Sequence, residues 1–290
     1  MKSLVLVTGG AGSVGKRVAQ KLQSEGYKVR VFDLPSANFT GLEGKDGFEV
    51  VRGDLTKDKD VEQAVQGAGA VIHLAALLPP ASERNRKVTF SVNVEAAVKV
   101  ATALKETSPG AVLVFSSSVS TYGDTMSMIP PVTVDIPQQA LDIYADSKIT
   151  AEKQLKEVYP NAVILRISGI SVPAIQSPPN VWPFMADQRI EFIHRDDVVT
   201  ALCNAVIKGV KRHVLNIAGG STWRMTGSAY VKDYYDLLSV PIEEARFMEQ
   251  PGWCDWYDTG TSQSLLKYQN TSYPAYLGQL RAEAKKMFQE

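Results

Sequence analysis

Cysteine is scarce in this chain of 290 residues: only Cys203 and Cys254 occur. Two thiols this far apart make no disulfide framework and lack metal-ligand spacing, so a reducing cytoplasm and no metal site are expected. Excess charge is missing as well, with 31 basic and 31 acidic side chains and a formal net charge of zero. Without a basic field, neither nucleic acid nor a membrane surface is an expected partner. Long apolar runs are absent. The first, Leu4-Val5-Leu6-Val7, has the length of a strand and is too short for a signal peptide or a membrane span. Repeats and low-complexity tracts are absent too. What is left is a chain long enough to bury a full core, as one large α/β domain or one domain with a lobe.

The richest stretch runs from Leu4 to Gly15. Its four apolar β-formers suit a parallel strand covered on both faces. Gly9, Gly12 and Gly15 then make a G-x-x-G-x-x-G turn, beyond which Val14, Val18, Ala19 and Leu22 recur at helical spacing. Glycines let the backbone turn tightly and let a pyrophosphate approach its N–H groups, where a helix N-terminus adds positive dipole. Gly9, Gly12, Ser13, Val14 and Gly15 are therefore candidate dinucleotide contacts. A second strand, Lys28 to Phe32, closes on Asp33, at the distance where a carboxylate accepts from both ribose hydroxyls of NAD and repels a 2′-phosphate. NAD is expected over NADP, with Lys16, Arg30 and Arg52 as the nearby cations that leave NADP open.

Strand and helix patterns alternate to residue 167. Strands are expected at Phe48–Arg52, Ala70–Leu74, Ala111–Phe115 and Ala162–Ile167, and helices at about Asp58–Gln66, Arg86–Glu106 and Tyr144–Val158. The alternation predicts an α/β fold with a doubly wound parallel sheet, its ligand groups at the carboxyl ends of the strands. Pro173, Pro178, Pro179 and Pro183 mark a loop; Asp196–Ile207 and Val214–Ile217 read as helix and strand. The expected division is a dinucleotide-binding domain over 1–167, with 192–217 returning to it, and a smaller, mainly substrate-binding lobe over 168–290. Trp223, Tyr230, Tyr234, Tyr235, Trp253, Trp256 and Tyr257 fall in that lobe, as pocket lining or as its own core.

Tyr144 and Lys148 stand one helical turn apart on one face. A free phenol titrates near ~10, and a neighbouring ammonium favours its phenolate, making tyrosine a usable acid or base for alcohol–ketone interconversion. Such a pair is also an ordinary helix neighbour. Val112 to Phe115 leads into Ser116-Ser117-Ser118 at a strand end, where a hydroxyl can meet a substrate oxygen or simply bond a polar turn.

Taken in order, these segments resemble the extended short-chain dehydrogenase/reductases of the NAD-dependent epimerase/dehydratase family. Thr8 to Gly15 is similar to its TGxxGxxG, Gly53-Asp54-Leu55 to its adenine-contacting segment, and His73-Leu74-Ala75-Ala76 to its H-x-A-A strand end beside the cofactor. Asn93-Val94, Phe115 to Gly123, Tyr144 with Lys148, Leu165-Arg166 and Phe192 to Asp197 match further motifs. The resemblance implies a Rossmann fold and catalysis by Ser118, Tyr144 and Lys148. It implies cofactor contacts at Asp54, Leu55, Leu74, Ala75, Ala76, Asn93, Tyr144 and Lys148, with Asn93 equally readable as a structural amide, and a homodimer formed by the helices near 86–106 and 144–158.

Two departures narrow the chemistry. Val119-Ser120 stands where 4,6-dehydratases carry Asp-Glu, and Gly169 stands where sugar-nucleotide epimerases often carry an Asn that approaches the diphosphate. Arg189 or Arg224 remains available to an anionic substrate or to solvent. His194 reads as part of a helix start with Asp196 as the cap. The expected activity is hydride transfer at a secondary alcohol or ketone carbon of a sugar, sugar derivative or sugar nucleotide, as dehydrogenase/reductase or epimerase. The alternatives are a ketoreductase of a non-sugar metabolite and a non-catalytic dinucleotide sensor.

Overall fold

The computed structural model describes residues 3–287. Strand β1 (Leu4–Thr8) feeds helix α1 (Ser13–Ser24), followed by β2 (Lys28–Asp33), β3 (Phe48–Arg52), α2 (Asp58–Val65) and β4 (Ala70–His73). A long helical run then covers α3 (Arg86–Phe90), a π-turn at Ser91–Glu95 and α4 (Ala96–Thr107). Next come β5 (Val112–Ser118), α5 (Ile143–Val158), β6 (Val163–Ile167), β7 (Ile170–Ser171), β8 (Arg189–Glu191), β9 (Ile193–His194) and α6 (Arg195–Ile207). The chain continues through β10 (Val214–Ile217), β11 (Arg224–Thr226), α7 (Gly227–Leu238), α8 (Gly260–Leu266) and α9 (Tyr273–Met287).

Seven strands form one parallel sheet in the order β10-β6-β5-β4-β1-β2-β3, confirming the doubly wound expectation. The apolar runs are continuous because both faces are covered. Val5 and Val7 point into the layer holding Val18, Leu22, Val198 and Leu202, while Leu6 points into the opposite layer with Val61, Val100 and Leu155. Leu266 and Tyr268, late in the chain, join the first of these sheet cores. A third core gathers Trp182, Phe184, Trp223, Tyr230, Tyr234, Tyr235, Tyr273 and Tyr276, so most of the late aromatics pack against one another.

Three local expectations are corrected. The helix expected over 86–106 is broken by the π-turn, which carries Asn93. The cap of α6 is His194, whose Nδ1 accepts from the Asp196 N–H at 3.1 Å, while Asp196 lies in the first turn and pairs with Arg17 at 3.1 Å. Two small sheets, β11 with β8 and β7 with β9, occupy sequence in which no strand is expected. Among the described residues no helix is long and apolar enough to cross a membrane, and no group of three or more metal-ligating side chains forms.

Candidate active site

A cleft of about 530 Å³ runs along the carboxyl ends of the strands. At β1 it begins with the glycine turn. Gly9 takes φ of +65°, and a side chain there would meet the Ala75 N–H at 2.8 Å. Gly15 lies so close to the turn that a Cβ would stand 2.2 Å from the Gly9 carbonyl. The N-terminus of α1 has Gly12 as cap, no side-chain cap and no acidic residue in its first turn. Gly12, Ser13, Val14 and Gly15 all line the cleft, so its positive end is left open toward an anion. This backbone cradle fits a pyrophosphate.

Asp33 ends β2 beside it, its carboxylate accepting from the N–H groups of Ala11 at 3.0 Å and Leu34 at 2.9 Å. The three nearby cations are engaged elsewhere. Arg30 pairs with Glu49 at 2.9 Å and donates to the carbonyls of Gln63, Ala64 and Gln66 at the end of α2. Arg52 pairs with Glu43 at 2.9 Å, and Lys16 reaches the Thr40 carbonyl at 3.4 Å. The surroundings of Asp33 thus fit a free 2′-hydroxyl better than a 2′-phosphate. Asp54, Leu55, Leu74, Ala75 and Ala76 line the same cleft. The Asp54 carboxyl is held below its usual range, chiefly by the Thr56 N–H, against the opposing effect of burial. His73 sits beneath, bonded through Nδ1 to the Thr8 hydroxyl at 3.0 Å; burial and then the charge of Lys148 keep it neutral, down at about 3.

Asn93, readable as a cofactor contact or as a structural amide, makes the hydrogen bonds of a structural amide. Its amide accepts from the Leu77 N–H at 2.7 Å and donates to the Leu77 carbonyl and the Ser147 hydroxyl, both at 3.0 Å. Both amide hydrogens are thereby used, and the residue is absent from the cleft wall. It ties the segment after β4 to α5.

Ser118 ends β5 and Tyr144 opens α5, and both face the cleft. Asp142 caps α5 through the Ala145 N–H. Glu83, which sequence reasoning missed, accepts from the N–H groups of Ile143 at 2.9 Å and Tyr144 at 3.1 Å. Lys148 is buried one turn on, donating to the Ser116 carbonyl at 2.8 Å. The expected depression of the Tyr144 phenol is not what this environment produces. Burial first, then the Asp142 carboxylate, push its pKa up, and a hydrogen bond with Ser118 opposes them. Burial brings Lys148 down to about 8, with Glu152 pulling the other way.

Below this pair lies a buried network. Glu152 pairs with Arg166 at 2.7 Å and accepts from the Ser117 hydroxyl at 2.5 Å, while Arg166 also donates to the Tyr122 hydroxyl at 3.0 Å. An arginine between the apolar run Val163-Ile164-Leu165 and Ile167 is the available signal that a buried carboxylate has to face it. Arg189 and Arg224 do not reach the cleft; they are bound to the buried Asp255 and Glu191. Trp253, alone among the late aromatics singled out above, lines the cleft, together with Leu77, Leu78 and Ile170.

A Rossmann sheet with a glycine turn after β1, an acidic β2 end and a tyrosine–lysine pair on the helix between β5 and β6 defines an extended short-chain dehydrogenase/reductase. The chain belongs to the NAD dependent epimerase/dehydratase family, whose model matches residues 5–181. It is similar to a UDP-glucose 4-epimerase of Lactobacillus helveticus, 31% identical over 279 residues that cover 89% of this chain and 76% of that protein. It is also similar to a 3-beta-hydroxysteroid dehydrogenase of Mycolicibacterium neoaurum, 31% identical over 155 residues. That second match covers 51% of this chain and only 41% of the curated relative's length. In fold it resembles a short-chain dehydrogenase/reductase superfamily protein from Agrobacterium tumefaciens solved with bound NAD, with TM-score 0.81, 21% identity and 98% of each chain covered.

Proposed function

We propose that the chain is an NAD-dependent oxidoreductase acting at a secondary alcohol or ketone carbon, with Ser118, Tyr144 and Lys148 as its working side chains. The carrying observation is that Ser118 and Tyr144 line the same cleft as the glycine turn and Asp33. Gly9, Gly12, Ser13, Val14 and Gly15 would hold the pyrophosphate, Asp33 the adenosine ribose, Asp54 and Leu55 the adenine, and Leu74 to Ala76 the middle of the dinucleotide. NAD supplies the hydride acceptor, or in reduced form the donor. Tyr144, kept a neutral phenol by burial, is suited to give a proton to a carbonyl oxygen and to take it back in the reverse direction. Ser118 orients that oxygen and supports its developing charge. Lys148 fixes α5 against β5 and contributes positive charge behind the phenol.

By the same reading, residues 1–167 with 192–217 serve the dinucleotide, and 168–290 mainly serve the substrate. We place the protein in the cytoplasm as a homodimer using the faces of α3, α4 and α5, with Val88 exposed on α3; sedimentation as a monomer would remove that part. A sugar or sugar derivative is the family-based substrate reading. A ketoreductase of a non-sugar metabolite is favoured by the engagement of Arg189 and Arg224 with buried carboxylates. A sensor without turnover has no use for the Ser118, Tyr144 and Lys148 set. Calorimetry with NAD and turnover of Tyr144→Phe test the proposal. We expect NAD affinity within about twofold of the parent and a fall of roughly 10²–10⁴-fold in the chemical step. Unchanged turnover would refute the assignment.

A further inference from the structure

The cleft has two chemically different ends. In the sheet order, β1, β2 and β3 lie to one side of β4, and β5 and β6 to the other. Asp33 and Asp54 stand at the first end and are the only charged side chains lining the cleft among the described residues. Toward the second end stand Ser118 and Tyr144, and the cleft wall also carries Leu77, Leu78, Ile170 and Trp253, with Ser116, Ser117 and Ser168 as further hydroxyls. Leu78 is 57% and Ile170 40% exposed, which leaves apolar surface in water at the mouth of a concave site.

Among the described residues neither lysine nor arginine lines this end. Arg189 gives its Nε and Nη2 protons to Asp255 at 2.6 and 2.9 Å, and Arg224 gives its Nε proton to Glu191 at 2.9 Å. Both carboxylates have side chains with 0% exposure, so freeing either arginine for a phosphate would strand a buried charge. The α5 N-terminus beside Tyr144, another possible anion site, is already occupied by Glu83 and Asp142. A diphosphate finds no complementary charge here and two carboxylates that repel it.

Trp253 is also firmly mounted. Two residues on, Asp255 holds Arg189, the Thr125 hydroxyl at 2.7 Å and the Trp256 N–H at 2.7 Å, and the Trp253 carbonyl accepts from the Tyr257 hydroxyl at 2.9 Å. A backbone held this way keeps Trp253 in the cleft wall without a large ordering cost on binding.

Resting on the oxidoreductase reading above, we infer that the substrate is an uncharged, largely apolar ketone or secondary alcohol without phosphate, packed against Trp253, Leu78 and Ile170. In oxidation the carbinol C–H bond breaks and its electron pair leaves as hydride to NAD. The hydroxyl proton passes to Tyr144 and the C=O bond forms; reduction by NADH reverses each transfer.

The test uses the full chain saturated with NAD, with 1-tetralone and 2-nonanone as apolar probes and UDP as the diphosphate probe. Binding is read by saturation-transfer NMR and calorimetry, independently of turnover. Both ketones are expected to bind, and UDP to show neither binding nor competition. Trp253→Ala should weaken 1-tetralone about tenfold or more while NAD affinity, which also reports folding, stays within about twofold. Ile170→Lys, at an exposed position, should likewise weaken the ketones. UDP binding that displaces the ketones overturns the inference, as does absence of ketone binding to the NAD-loaded chain. A chain that takes up no NAD overturns the oxidoreductase reading itself.

Discussion

The Lys148 ammonium lies 5.7 Å from the centre of the Tyr144 ring, yet its hydrogen bond goes to the Ser116 carbonyl on β5. The two residues share a helix face as their spacing requires, but the cation also rests 4.8 Å over the Phe115 ring. Its charge is therefore held by the sheet, and the phenol responds first to burial.

That placement sets a pH dependence. Because burial brings Lys148 down to about 8, carbonyl reduction should be level below that pH and decline above it, as the positive charge behind Tyr144 is lost. A kcat/KM profile checks the position of this limb. Stability moves the opposite way. The unfolded lysine titrates near ~10.4, so the cost of burying the ammonium is fully present below about 8 and is relieved as pH rises toward the unfolded value. The relief is on the order of 3 kcal/mol, read from urea midpoints across that window.

Asp33→Asn keeps the side-chain shape and removes its charge. NAD affinity should drop by about 1.5–3 kcal/mol if the carboxylate accepts from the ribose, and discrimination against NADP should narrow. Paired titrations with NAD and NADP measure both effects. Equal loss for the two cofactors would remove Asp33 from the ribose site.

Gly15→Ala should be far more damaging than its single methyl suggests. The new Cβ would stand 2.2 Å from the Gly9 carbonyl and 2.7 Å from the Gly10 Cα, so the turn must open. The expected result is loss of the NAD-induced rise in Tm, whereas Gly110→Ala, with nothing near its Cβ, should leave it intact. Differential scanning fluorimetry with and without NAD distinguishes the two.

Glu152→Gln leaves Arg166 buried without its partner and should cost about 3–5 kcal/mol in urea unfolding. Replacing both, as Glu152→Leu with Arg166→Met, should recover much of that loss. If the double variant falls as far as the single one, the Ser117 and Tyr122 hydrogen bonds carry the stability instead of the ion pair.

The sheet and the glycine turn were legible because their signals are local. Val5 and Val7 alternate with Leu6, and Asp33 follows the turn at a spacing set by one βαβ unit. The helix over 86–106 was legible as apolar periodicity, but the π-turn that aims Asn93 at Leu77 depends on a partner 16 residues away. Arg30 and Arg189 show the same limit. A sequence shows that an arginine is present, while its partner at Glu49 or Asp255 is chosen by topology. Glu83 as a second cap of α5 lies 60 residues from Ile143 and has no local signature at all.

The bond from Thr125 to Asp255 joins segments 130 positions apart. Translation therefore delivers the sheet strands before the clasp: all seven have been synthesised by Ile217, while the bond beside Trp253 must wait for Asp255. During that interval the nascent polypeptide carries Leu77, Leu78 and Ile170 of the cleft wall and still lacks Trp253, and the sheet core still lacks Leu266 and Tyr268.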